Sequence, residues 1–186
     1  MRIKGNVLIA RRAFVEKHFG AEGWRKVMEA LPPHDREAFG EGITAMLWYP
    51  FALGRNLDDA IVRVLGRGNE SVFEEIGAES ARANLTGVHK DFLTPGDPQA
   101  FMANMPTVYR FYYDTGRRAH EATGPTSCVL TTYDADSFSA VDCLTVVGWL
   151  KEGLRMCGAS NPAVVEETCR ARGGDCCRYR VRWSSS

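Results

Sequence analysis

The chain has 186 residues, 45% of them hydrophobic and 25% charged, with 23 Lys and Arg against 23 Asp and Glu. That composition excludes a disordered or fibrous chain, and the zero formal charge leaves no global field for holding nucleic acid or an anionic membrane. No apolar run approaches the ~20 residues a bilayer-spanning helix needs, and Val7-Leu8-Ile9-Ala10 is too short for a signal peptide. The expectation is one domain, 1–186, in the cytoplasm, where the six cysteines stay reduced.

In chain order, residues 9–31 carry a helical pattern, interrupted near Gly20 and stopped by Pro32-Pro33. The aromatic run Met46-Leu47-Trp48-Tyr49-Pro50-Phe51 reads as the entry to a second helix, because Pro50 is tolerated poorly inside one. Leu57, Ile61, Val64 and Leu65 hold its spacing, and it ends by Gly66. Asn69 or Ser71 caps a third helix with Phe73, Ile76, Ser80 and Ala83 on one stripe, Ser71 and Glu74 standing in capping-box register. The small Gly77 and Ser80 predict a close helix neighbour.

Asp97-Pro98 places a cap and a first-turn proline at the head of a helix reaching Asp114, kinked at Pro106. After Gly116 the pattern changes to strands over 117–123 and 127–133, joined at Gly124-Pro125. A helix over 139–157 follows, with Ala140, Cys143, Val147, Leu150, Leu154 and Cys157 on one stripe and Gly158 as a left-handed stop. Strands over 163–170 and 177–183 flank Gly173-Gly174, with Tyr179, Val181 and Trp183 on one face and Arg178, Arg180 and Arg182 on the other. Residues 184–186 are expected to fray. The class is α+β: a mainly helical part, 1–115, then a β-hairpin, helix, β-hairpin unit, 116–183.

All six cysteines lie after residue 127, and Cys143, Glu166, Cys169 and Cys177 form the informative set. Cys169 and Cys177 stand either side of the Gly173-Gly174 turn, so hairpin pairing brings their thiols together, while Cys143 sits on the buried stripe of the preceding helix. Three thiolates and a carboxylate satisfy tetrahedral zinc and leave no open position, as a structural site requires. The competing reading makes Cys143 and Cys157 small buried apolar residues and the others incidental.

The segment from Cys143 to Cys177 resembles the C-terminal part of the 4-vinyl reductase domain family, above all the version in the sensory domains of phenol-responsive transcription activators. The resemblance implies zinc on Cys143, Glu166, Cys169 and Cys177, with Gly148 filling the helix glycine position. On a regular strand Cys169 shares its face with Glu167 rather than Glu166. The family spacing favours Glu166, and a bulge at the strand end reconciles the two; Glu167 and Cys176 are the reserve candidates. The region 14–24, Trp48-Tyr49-Pro50 and Tyr112-Tyr113-Asp114-Thr115-Gly116 resemble stand-alone bacterial proteins related to the haem-NO-binding and 4-vinyl reductase superfamily. That likeness implies a helical layer packed on the antiparallel sheet, a cavity for apolar or aromatic molecules, and a homodimer. The Tyr-x-Ser-x-Arg signature of the haem-sensing relatives does not occur in the chain.

His18, His34, His89 and His120 are scattered and belong to no ligand pattern. No nucleophile elbow, P-loop or dinucleotide fingerprint is present, so no catalytic residue is assigned; hydrolase, kinase and dehydrogenase readings lose their usual support, and an enzyme stays open as the last of three classes. The arginines of the last hairpin read as a solvated strand face rather than a nucleic-acid surface. Trp48, Tyr49, Tyr109, Tyr112 and Tyr113 are the candidate ligand-binding residues, able to offer apolar and polar surface together. The expected function is a non-enzymatic small-molecule-binding or signalling module with a structural zinc. The alternative is a protein-interaction scaffold of the same fold with no ligand.

Overall fold

The computed structural model describes residues 1–184. The first elements are a short strand β1 (Arg2–Lys4), a long helix α1 (Gly5–Glu29) and a short helix α2 (Pro33–Gly40). Gly20 breaks the helical path of α1, at φ 67° and ψ −177°, where the sequence predicts the interruption. Pro32-Pro33 stops that helix but also starts the next, since a proline at a first helical position gives up only an N–H that would be orphaned anyway. Strand β2 (Trp48–Pro50) pairs antiparallel with β1, Ile3 facing Tyr49, so the expected helix entry is a strand that turns into α3 (Phe51–Val64) at Pro50.

Helix α4 (Val72–Leu85) buries Phe73, Ile76, Gly77, Ala81 and Leu85. The expected capping box is not formed: Ser71 makes no side-chain cap, and Asn69 Oδ1 instead accepts from the Ser71 N–H at 2.9 Å. Ala83, placed on the buried stripe by pattern, is exposed. The segment from Pro98 is two helices, α5 (Pro98–Ala103) and α6 (Met105–Tyr112), divided at Asn104. Pro106 ends the i→i−4 ladder there, and Asp97 caps α5 by accepting from the Ala100 N–H at 2.8 Å.

Strands β3 (Arg117–Gly124) and β4 (Ser127–Tyr133) form the first hairpin, α7 (Ala140–Met156) follows, and β5 (Ser160–Thr168) and β6 (Cys177–Ser184) form the second. The sheet order is β3-β4-β6-β5, antiparallel throughout, with β4 joined to β6 so that the two hairpins lie side by side. The fold is α+β, as expected. Ser184 still belongs to β6, and the rest of the expected frayed end, 185–186, lies outside the described residues. On β6, Tyr179, Val181 and Trp183 are buried while Arg180 and Arg182 are exposed, following the period-2 alternation.

Helices α4 and α7 cross at two glycines. A Cβ on Gly148 would collide with the Glu74 backbone carbonyl, and one on Gly77 with the Thr145 carbonyl. The close neighbour predicted from Gly77 is therefore α7, and the crossing brings both backbones into contact. One cluster of buried side chains extends from Ile3 and Leu8 through Phe73 and Phe101 to Leu150, Tyr179 and Trp183, joining the helices to the inner face of the sheet. Among the described residues no helix is long and apolar enough to cross a membrane.

Candidate metal centre and the adjoining cavity

Cys143 lies in the first turn of α7, whose N-cap Ser139 accepts from the Asp142 N–H at 3.5 Å. Cys177 opens β6. Cys169 follows the last residue of β5 and leads into a single 3₁₀ turn over Arg170–Arg172, closed by Gly173 at φ 90°. Only a glycine adopts that left-handed geometry without strain, and the turn folds the Cys169 and Cys177 ends of the hairpin together.

Between Glu166 and Thr168 the β5–β6 register shifts: Glu166 faces Tyr179 and Thr168 faces Arg178, leaving Glu167 as the extra residue. Glu166 keeps the inward phase of Pro162 and Val164, its side chain 8% exposed, and Glu167 points outward to pair with Arg178 at 3.2 Å and Arg180 at 3.1 Å; the bulge shifts the phase beyond it, so that Cys169 is buried as well.

The structure brings Cys143, Glu166, Cys169 and Cys177 together, with one ligand atom from each lying within 4.8 Å of every other. Cys143 Sγ is 3.7 Å from Cys177 Sγ and 4.0 Å from Cys169 Sγ. Tetrahedral zinc with Zn–S bonds of about 2.3 Å requires sulfur–sulfur edges of about 3.8 Å, whereas a disulfide requires about 2.05 Å. Cys176, Cys128 and Cys157 stay outside the group, and all six cysteines are free thiols.

Both carboxylate oxygens of Glu166 are buried and accept no hydrogen bond; Arg172 Nη1 stands 3.6 Å from Oε2. A buried carboxylate in that state costs free energy unless a cation compensates it. The thiols hold their protons unequally. Cys143 donates to Cys177, which draws the Cys177 thiol down to about 7, while the same bond and burial push Cys143 far above the ordinary thiol range. Burial also raises Cys169. A dication entering here displaces protons from all three sulfurs, so its binding is steeply pH-dependent. A surface cleft lined by Glu166, Cys169, Arg172 and Gly174 offers it a way in.

Next to this cluster lie two small cavities between the helical layer and the sheet. The first, about 60 Å³, has Val108, Tyr112, Trp149 and Leu150 in its walls, with the polar Arg11, Ser80, Thr145 and Arg118. The second, about 40 Å³, reaches Cys143 and Cys177. Tyr109, Tyr113, Arg118 and Val146 form the wall common to both. Tyr109 and Tyr113 stack at 4.9 Å; the Tyr109 hydroxyl donates to Thr115 O and the Tyr113 hydroxyl to Asp142 Oδ2, each at 2.8 Å. Burial pushes Tyr109 up to about 12.

Of the five aromatic residues expected to bind a ligand, Tyr109, Tyr112 and Tyr113 line this interior. Trp48 and Tyr49 do not: they belong to the β1–β2 ribbon, where Lys4 Nζ lies 3.9 Å from the Trp48 ring and the Tyr49 hydroxyl accepts from the Thr44 N–H at 2.9 Å. The sequence reading missed Arg11, which is 3% exposed and pairs with Asp58 Oδ1 at 2.9 Å and Asp142 Oδ1 at 3.1 Å. A signal was available, because Arg11 shares the buried phase of α1 with Val7, Phe14 and Val15, and Asp58 lies between Leu57 and Ile61 on α3.

The fold has solved counterparts. An H-NOX protein from S. oneidensis in the Fe(II)NO ligation state superposes with TM-score 0.73 at 15% identity, over 98% of this chain and 99% of that one. The Fe(II) unliganded H-NOX protein from K. algicida gives TM-score 0.74 at 11% identity, over 98% and 97%. The chain therefore has the H-NOX fold along nearly its whole length. It belongs to the family described as "Protein of unknown function (DUF2378)", which matches residues 66–184 and so contains all four residues of the cysteine and glutamate cluster. No curated protein matches the chain.

Proposed function

We propose that the chain is a non-enzymatic binding or signalling module of H-NOX fold in which a zinc ion on Cys143, Glu166, Cys169 and Cys177 ties α7 to the β5–β6 hairpin. The observation that carries this reading is the pairing of tetrahedral sulfur spacing with a buried carboxylate that has no hydrogen-bond partner. Four protein ligands close the coordination sphere, so the metal supplies folding free energy and fixes geometry rather than activating a water. Because Cys143 shares α7 with Val147, Leu150 and Leu154, anchoring its thiol also fixes the apolar face behind it. The resemblance to the zinc-binding part of phenol-responsive sensory domains supports the same ligand set.

The H-NOX counterparts are described in Fe(II)NO and Fe(II) unliganded states, and others by the distortion of their heme, which raises haem as the group this interior would hold. The residues present do not fit it. Cofactor pockets run to about 300–1,000 Å³, against the cavity of about 60 Å³ here. None of the four histidines lines either cavity; His89, whose Nε2 is buried without a hydrogen bond, packs behind the cavity wall against Phe92, Phe111 and Tyr112. The proposed ligand is accordingly a molecule far smaller than a porphyrin, held in the cavity beside the metal centre.

The scaffold reading draws on the same small interior together with exposed apolar side chains such as Val88 (72%) and Phe111 (41%). The proposal further takes the chain as one domain that pairs as a homodimer, and reads the outward arginines of β6 as a solvated face, since Glu167 neutralises two of them. Metal analysis of chelator-free full-length protein tests the central assignment. One zinc per chain is expected, falling sharply in Cys169→Ser; a content well below one overturns it.

A further inference from the structure

Two guanidiniums line the first cavity, and they differ in charge balance. Arg11 is neutralised by Asp58 and Asp142. Arg118 projects from the inward face of β3, and among the described residues no carboxylate lies within 4.0 Å of it. Its Nε donates to Thr132 Oγ1 at 3.0 Å, one of the five N–H donors it carries. Its guanidinium carbon lies 5.0 Å from the Tyr109 ring centre and 5.8 Å from that of Tyr179, which holds the planar group in place by cation–π contact.

Among the described residues, none that lines the first cavity is acidic. The thiols of Cys143 and Cys177 and the carboxylate of Asp142 line only the second cavity, on the metal side of the shared wall. One further donor of the first cavity's walls has no acceptor among the described residues: the Trp149 indole N–H is buried without a hydrogen-bond partner, the residue being 9% exposed, whereas the Tyr112 hydroxyl lies against the Asn6 amide. An indole can only donate. An uncompensated guanidinium and an orphaned indole donor around a mainly apolar space with no carboxylate in its walls form a set that an anion satisfies and a neutral apolar molecule does not.

We propose that Arg118 anchors a small planar oxyanion, of the formate, acetate or nitrite class, in the cavity bounded by Val108, Tyr112, Trp149 and Leu150. A guanidinium engages two coplanar oxygens in parallel, which selects this geometry over a spherical halide. Size sets the upper limit. About 60 Å³ corresponds to roughly two waters at ~30 Å³ each, well below the ~150 Å³ of a benzene-binding cavity. Arg11 does not compete for the anion, because Asp58 and Asp142 neutralise its charge and take its Nε and Nη2 donors. The inference rests on the reading of this cavity as a ligand site and specifies the chemistry of its occupant.

The test is calorimetric titration of the zinc-loaded full chain with sodium formate, acetate and nitrite at constant ionic strength, with formamide as the neutral isostere of formate. Formate and nitrite should each saturate one site, and formamide should show no saturable heat. Arg118→Met should weaken formate binding at least tenfold, Arg118→Lys should retain part of it, and Trp149→Phe should weaken it with the fold undisturbed. The formate–formamide pair and Trp149→Phe decide the question even where Arg118→Met fails to fold. No saturable binding of any of the three oxyanions by the wild type overturns the proposal, as does undiminished formate binding in both Arg118→Met and Trp149→Phe. Formamide binding as tightly as formate overturns the anion assignment while leaving the cavity as a ligand site. Zinc content, measured on the same samples, reports the metal assignment separately.

Discussion

Glu166→Gln should change stability in opposite directions with and without metal. In the metal-free protein both carboxylate oxygens are buried without a hydrogen bond, and the side chain is 8% exposed. The effective penalty for a buried unpaired ion is several kcal/mol. Arg172 recovers part of it from 3.6 Å, but that arginine is 56% exposed, so its contribution is screened and small. Replacing the carboxylate by a neutral amide should therefore stabilise the chelated protein by about 2 kcal/mol. For a chain of this length that raises Tm by about 4–8 °C. In the zinc-loaded protein the same change removes an anionic ligand. A hundredfold weaker affinity removes about 2.7 kcal/mol of metal-linked stabilisation at saturating zinc, enough to outweigh the gain and lower Tm. Paired thermal melts of wild type and Glu166→Gln, in chelator and in zinc, read both signs. A shift of the same sign in both conditions would refute the argument, because it would mean that the carboxylate does not meet the metal.

Gly148→Ala should destabilise the protein by about 3 kcal/mol or more in chemical denaturation, since the added Cβ meets the Glu74 backbone carbonyl and neither helix can yield; a loss under about 1 kcal/mol would contradict the backbone contact between α4 and α7. Burial raises Asp58 to about 6, against the opposing pull of Arg11. With a folded value above the unfolded one, Asp58 contributes stability that is present below about pH 4 and lost as pH rises towards 6. The stability difference between wild type and Asp58→Asn, measured in chelator, should therefore slope downward for the wild type across that window, and a flat difference would refute it. Light scattering at micromolar concentration should give twice the 20.6 kDa chain mass, and a value near 20.6 kDa removes the dimer.

Where glycine and proline punctuate the chain, the fold was readable. Gly20, Asp97-Pro98, Gly124-Pro125 and Gly158 each sit at a boundary that local backbone preference alone decides. The β1–β2 ribbon was not readable, because each of its strands has three residues, too few for alternation to show. It is held by tertiary partners, including the Arg2 ion pair with Asp114. The same gap misplaced Trp48 and Tyr49, whose aromatic character carries no information about which layer they join. The clustered Cys and Glu residues were legible because thiol spacing about a turn survives in one dimension. Glu166 follows the alternation of Val164, whereas the burial of Cys169 on the same side depends on the bulge at Glu167, which only the pairing with β6 reveals. Arg118 carries no local mark at all. Its proposed role comes from the lack of a carboxylate within 4.0 Å of it among the described residues, a property of the folded interior.

The central claim is a zinc centre of three sulfurs and one oxygen, and zinc K-edge X-ray absorption of the chelator-free full chain tests it most directly. The account predicts three sulfur neighbours at about 2.3 Å and one oxygen at about 2.0–2.2 Å, with the oxygen shell altered in Glu166→Gln. A shell of four sulfurs, or one dominated by nitrogen and oxygen, would contradict it.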